Sequence, residues 1–174
     1  ISFLYEQSHI EEMIAKENFS TLSFEYYKGE DLKRFEDAVN ISKDFVRGFK
    51  NHYQNLLFYG TVGTGKSFLS NCIAKEILDQ GHSVLYLSAF QLFDLMAKHS
   101  FSGNAPKDGD FAKQYPHIFD SDLLIIDDLG TELINSFTVA GFFLVINERI
   151  LRKKSTLIST NLSPEEIFTT YTDR

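Results

Sequence analysis

Gly60-Thr61-Val62-Gly63-Thr64-Gly65-Lys66-Ser67 follows the pattern G-x-x-x-x-G-K-[ST], and its chemistry is that of a phosphate cradle. A triphosphate crowds several negative charges together. Holding it takes glycines that let the backbone come close, a ring of inward N–H groups, and the positive end of a helix beneath. Gly60, Gly63 and Gly65 meet the first need. Lys66 is placed to reach the β- and γ-phosphates, and the Ser67 hydroxyl to take one position on Mg²⁺. With Thr61, Val62, Thr64 and the following Phe68, these residues form the expected binding loop for ATP or ADP.

Two further polar clusters end apolar runs. Leu123-Leu124-Ile125-Ile126 is followed at once by Asp127-Asp128, the pattern of a Walker B element. Successive side chains at a strand end point to opposite sides, so Asp127 is expected in the Mg²⁺ shell and Asp128 beside an attacking water. Glu132 is a weaker candidate for that base. Thr156-Leu157-Ile158-Ser159-Thr160-Asn161 also ends in polar residues, and Asn161 is placed to hydrogen-bond the γ-phosphate or the water. Ser163-Pro164-Glu165-Glu166 reads instead as a helix start with a capping box, which makes Glu166 structural.

The remaining reactive side chains carry less. Arg149, Arg152, Lys153 and Lys154 form the dense basic run; a helix-terminal role is expected, with a DNA or phosphate contact as the alternative. Cys72 reads as a buried small hydrophobe. The histidines at 9, 52, 82, 99 and 117 have no metal-ligand spacing. Phe19 and Phe24 fit core packing, with a position near an adenine as the alternative.

These residues need elements to hold them. Short apolar runs at Leu56 to Tyr59, Ser83 to Leu87, Leu123 to Ile126 and Thr156 to Ser159 predict strands buried on both faces. Helical stretches fall between them: Lys66 to about Asp79, one opening at a Ser88–Gln91 capping box, and one from about Ser136 to Lys153. Such alternation is that of a parallel sheet with crossover helices. Two helices precede the sheet: a short one opened by a Ser8–Glu11 capping box, and one from Glu30 to Gly48 with Leu32, Phe35, Val39, Val46 and Phe49 on one face. Gly48 is expected to close the second as a glycine cap. Ser100 to Gly109 reads as a polar surface loop.

At 174 residues and 43% hydrophobic content the chain holds about one domain with a real core. Seventeen basic against 24 acidic side chains give a net charge of −7, so any nucleic-acid contact must come from a local patch. No apolar run approaches the roughly 20 residues of a membrane helix, and no signal pattern opens the chain. One cysteine suits a reducing compartment, and a cytoplasmic location without membrane contact is expected. Because the chain opens at Ile1 and closes at Thr172-Asp173-Arg174, it is expected to be a fragment.

As a set, Gly60 to Ser67, Leu123 to Gly130 with Thr131-Glu132, and Ser159-Thr160-Asn161-Leu162 resemble the AAA+ ATPases of the bacterial DnaC, DnaI and IstB-like group. The resemblance covers the chain from about Phe19 onward and is closest in style to the helicase loaders. It implies an α/β, three-layer P-loop NTPase sandwich of the AAA+, ASCE type with a parallel sheet, cut before the last strand and lid. Residues 51–174 would be the incomplete AAA+ core and residues 1–50 a helical lead-in. Gly60 to Ser67 would be Walker A, Asp127 and Asp128 the Walker B pair, and Asn161 the first sensor. Many relatives with this layout carry Glu where this chain has Asp128, one methylene longer.

The implied activity is ATP hydrolysis, weak in isolation because a neighbouring subunit must supply a finger arginine, a role not assigned to Arg174. The implied partners are a replicative DNA helicase, single-stranded DNA and, with ATP, further copies of the chain. Alternatives are an IstB-like transposition helper ATPase with the same core, a nucleotide-dependent assembly switch with little catalysis, and a small-metabolite P-loop kinase. No arginine-rich lid supports the kinase.

Overall fold

The computed structural model of the chain describes residues 10–101 and 110–172. Helices α1 (Ile10–Lys16) and α2 (Gly29–Gly48) precede β1 (Leu56–Tyr59), α3 (Lys66–Asp79), β2 (Val84–Ser88), α4 (Ala89–Phe101) and α5 (Asp110–Asp120). There follow β3 (Leu123–Leu129), α6 (Ser136–Leu151), β4 (Ser155–Thr160) and α7 (Pro164–Thr172). All strand pairs are parallel, in the order β1-β4-β3-β2. Ser8, most of the Ser100 to Gly109 stretch, and Arg174 lie outside the described residues.

Strand β3 shows why the sheet has helices on both faces. Leu124 and Ile126 pack with Leu92, Phe93, Met96 and Val145 from α4 and α6, whereas Leu123 and Ile125 pack with Phe45, Val46, Ile73 and Ile77 from α2 and α3. Period-2 alternation thus feeds two cores from one apolar run, giving three layers. Strand β1 departs from the expected double burial. It pairs only with β4 in the described sheet, so Leu57 and Tyr59 are 42% and 58% exposed.

Local signals set most helix starts. Ser88 Oγ accepts from Gln91 N–H at 3.2 Å while Gln91 Oε1 accepts from Ser88 N–H at 2.8 Å, the expected reciprocal box. Ser163 and Glu166 do the same at 3.2 and 2.7 Å, and these bonds from Ser163 hold the Glu166 carboxyl below its usual range. Asn135 and Thr138 form a box at α6 that the sequence reading lacks.

Three expectations change. Gly48 stays in the helix, whose C-cap is Phe49 in the right-handed region, with its N–H on the Val46 carbonyl; no left-handed glycine is used. Phe45 is fully buried and Leu32 only half-buried, so the apolar face of α2 is rotated toward α3. Helix α5 is new, and Pro116 inside it breaks the periodic signal.

Candidate functional site

The carboxyl ends of β1, β3 and β4 and the amino end of α3 build one site. Strand β1 ends at Tyr59, the loop turns through Gly60, Gly63 and Gly65 with φ of 138°, 82° and 89°, and α3 begins at Lys66. Gly65 is required twice over. Its φ is left-handed, and a Cβ there would sit 2.6 Å from the Tyr27 hydroxyl and 2.7 Å from the Phe35 ring. Tyr27 stacks on Phe35 with centroids 4.0 Å apart, and Phe24 meets Phe35 edge-on at 5.8 Å. An aromatic floor from the segment before β1 thus presses against the loop. Phe19 packs in the cores of this same side.

The Lys66 ammonium donates to the Gly60 carbonyl at 2.7 Å, the Thr61 carbonyl at 2.8 Å and Asn161 Oδ1 at 2.9 Å. Partial burial lowers its pKa, and the opposing pull comes from Asp128 and Asp127. Both carboxylates therefore lie within electrostatic reach of the loop lysine. Thr64 Oγ1 donates back to the Thr61 carbonyl at 2.9 Å, which pins the loop crown; Val62 at its tip is 83% exposed. Phe68 is half-buried in the first turn of α3.

Asp127 gathers hydroxyls from three elements. Ser67 on α3 donates to Oδ1 at 3.1 Å, Ser159 on β4 donates to the same oxygen, and Tyr86 on β2 donates to Oδ2 at 2.9 Å. Burial first, and the Asp127 charge next, push the Tyr86 phenol far up, so it remains a donor. No motif in the sequence singles out Tyr86. Its signal was a phenol inside an aliphatic strand, since a buried tyrosine hydroxyl needs a partner. Ser159 was legible only as part of a polar strand end.

Asp128 is aimed by a bulge rather than by simple alternation. Ile126 pairs with Ile158 and Leu129 with Thr160, so three steps on β3 face two on β4. The extra residue is absorbed at Asp128, whose φ is +56°, and a bulge re-aims the side chain it carries. Asp tolerates this left-handed conformation better than most residues. The Asp128 N–H donates to Ser159 Oγ at 3.0 Å, and its carbonyl accepts from Thr131 Oγ1 at 2.8 Å. Asp128 is exposed.

Glu132 does not share that position. It is 8% exposed, accepts from Gly130 N–H at 2.8 Å and accepts from the Tyr171 hydroxyl. Its carboxylate caps the turn after β3 and ties it to α7, so the weaker base candidate is structural.

Three of the four residues of the basic run, Arg149, Arg152 and Lys154, are engaged within the fold, while Lys153 is exposed. Arg149 is fully buried and donates to Thr156 Oγ1, Ser121 Oγ and the carbonyls of Ile118, Ser121 and Ser155. Burial lowers its guanidinium to about 10. Arg152 pairs with Asp120 at 2.6 Å and Glu148 at 3.1 Å, and Lys154 with Asp122 at 2.8 Å. Cys72 is buried, and its thiol is pushed up to about 12 by that burial. Among the described residues no three His, Cys, Asp or Glu side chains group as a metal cluster, and no helix is long and apolar enough to cross a membrane.

A glycine cradle leading into a helix, a lysine within it, and a hydroxyl beside a carboxylate at a strand end define a nucleotide-binding P-loop protein of the AAA+ fold. Residues 5–174 match the profile described as IstB-like ATP binding protein, and the chain belongs to that family. The replicative helicase loader DnaC of Escherichia coli (strain K12) is 26% identical over 145 residues, 83% of this chain and 57% of that protein. The chain thus spans just over half the length of this relative. The crystal structure of DnaI superposes with a TM-score of 0.71 at 21% identity, over 92% of this chain and 80% of that one. The replication initiator DnaA bound to AMPPCP and single-stranded DNA gives 0.65 at 25% identity, over 83% of this chain and 43% of that one.

Proposed function

We propose that this chain is the ATPase core of a replicative helicase loader, which binds and hydrolyses ATP and through its nucleotide state governs association with the helicase and with single-stranded DNA. The observation that carries the reading is the convergence of Lys66, Asn161, Ser67 and Asp127, with Lys66 Nζ 2.9 Å from Asn161 Oδ1 and Ser67 Oγ 3.1 Å from Asp127 Oδ1. The DnaC relative supports the loader assignment, and the AMPPCP bound by DnaA supports the nucleotide.

In this reading the loop amides from Gly60 to Ser67 cradle the phosphates and Lys66 meets the β- and γ-phosphates in place of the carbonyls it now contacts. Ser67 and Asp127 are hard oxygen donors side by side at the loop, a donor set that fits Mg²⁺. Bound there, Mg²⁺ would neutralise charge developing between the β- and γ-phosphoryl oxygens. Asp128 accepts a proton from the attacking water, and Asn161 orients that water or the γ-phosphate. Efficient turnover in this reading draws on charge supplied in trans by a neighbouring subunit, as the family resemblance implies, so ATP is expected to promote assembly.

The test is size-exclusion chromatography with light scattering of the protein with the replicative helicase of its host, with and without ATP. Co-elution is expected. No association with an active helicase in either state would overturn the loader reading. The family description favours a second reading, an IstB-like transposition helper, which predicts instead association with a transposase on duplex DNA.

A further inference from the structure

Tyr86 occupies the centre of β2 between Leu85 and Leu87, paired in register with Ile125, while Ser88 on the same face pairs with Asp127. The phenol reaches along that face to Asp127 Oδ2 at 2.9 Å. The opposite oxygen, Oδ1, already accepts from Ser67 at 3.1 Å and from Ser159. An ionised carboxylate has about four lone-pair sites. Three hydroxyls thus hold it from β2, β4 and α3, and one acceptor direction is left for a cation or its water.

The terminal torsion of an aspartate is broad, and an unheld carboxylate must lose that freedom each time it meets a cation. We infer that Tyr86 is a positioning residue for the divalent cation of the nucleotide site, its hydroxyl fixing the rotation of the Asp127 carboxylate. Ser159 does the same work from the other neighbouring strand, and its oxygen also accepts the Asp128 N–H at 3.0 Å. Tyr86 does not touch the nucleotide or metal; it acts through Asp127. The inference rests on the nucleotide-site reading given above. Partners that orient a metal ligand are typically worth ten- to a hundredfold in metal affinity.

The experiment measures binding of a fluorescent ADP analogue to the protein and to Tyr86→Phe, in Mg²⁺ and in EDTA, with a thermal melt of each variant. Phenylalanine keeps the ring that packs in the sheet and deletes only the donor. The affinity gained from Mg²⁺ is expected to fall about tenfold in Tyr86→Phe, with affinity in EDTA unchanged. An identical Mg²⁺ gain in both proteins overturns the inference. So does a loss that persists when Asp127→Ala is already present, because the effect would not then run through that carboxylate. Absence of nucleotide binding by the unaltered protein would overturn the underlying site reading instead.

Discussion

Lys66 and Asn161, 95 residues apart in the chain, meet with Nζ 2.9 Å from Oδ1. The contact joins the start of α3 to the end of β4 and puts a neutral amide where the loop lysine is directed. Asn161→Ala removes that amide without adding charge to the loop. Nucleotide affinity is expected to stay within about threefold while hydrolysis falls roughly a hundredfold, the usual cost of losing one preorganised polar group. Parallel titration and turnover assays check this; an equal loss in both would make Asn161 a binding residue only.

Asp128→Asn tests the base. Asparagine also tolerates the left-handed backbone at this bulge, so the turn and the Ser159 contact are preserved. Binding should be unchanged and single-turnover hydrolysis should drop by about a hundredfold or more. Unaltered turnover would remove Asp128 from the proposed chemistry.

Arg149→Met keeps much of the volume and deletes every donor. The carbonyls of Ile118, Ser121 and Ser155 would lose their side-chain partner in a buried place. A loss of about 3 to 5 kcal/mol is expected from urea unfolding. A loss under about 1 kcal/mol would mean that water replaces the guanidinium.

Asp122 sets an acid limit. Burial pushes its carboxyl up, but Lys154 and the two Ser83 donors outweigh that and hold it at about 2, below its ordinary 3.8. His82 Nδ1 also faces it at 3.6 Å. A carboxyl lowered by folding stabilises above its unfolded pKa and loses that contribution as pH falls through its folded one. The stabilisation is therefore full above about pH 4 and lost toward pH 2, and is about 1 kcal/mol once solvent screening of this partly exposed group is counted. Asp122→Asn should lower the melting temperature at pH 7, by a difference that shrinks as pH falls toward 2.

Local devices were readable in the sequence because their partners are neighbours. The loop from Gly60 to Ser67, the Ser88–Gln91 and Ser163–Glu166 boxes, and the apolar run of β3 all depend on spacings of a few residues. What eluded it is made by pairing across the sheet. The bulge that turns Asp128 exists only against β4, and the Tyr86 contact only against β3. Arg149 looked like a surface charge because a basic helix end usually is one; its burial depends on Ser121 and Ser155 arriving from other parts of the chain. Glu132 stood as a weaker candidate for the base because Tyr171, which claims it, lies 39 residues away.

The Arg149 contacts also bear on the order of folding. The guanidinium is satisfied only when the end of α5, the start of β4 and α6 itself are all in place. A collapsed chain holding two of the three would carry a desolvated cation with missing acceptors, a penalty that depopulates such partial states. Arg149 should therefore act late, with a low φ-value: its loss leaves the refolding rate nearly untouched and speeds unfolding, so this one side chain sets the lifetime of the folded domain rather than the speed of its formation.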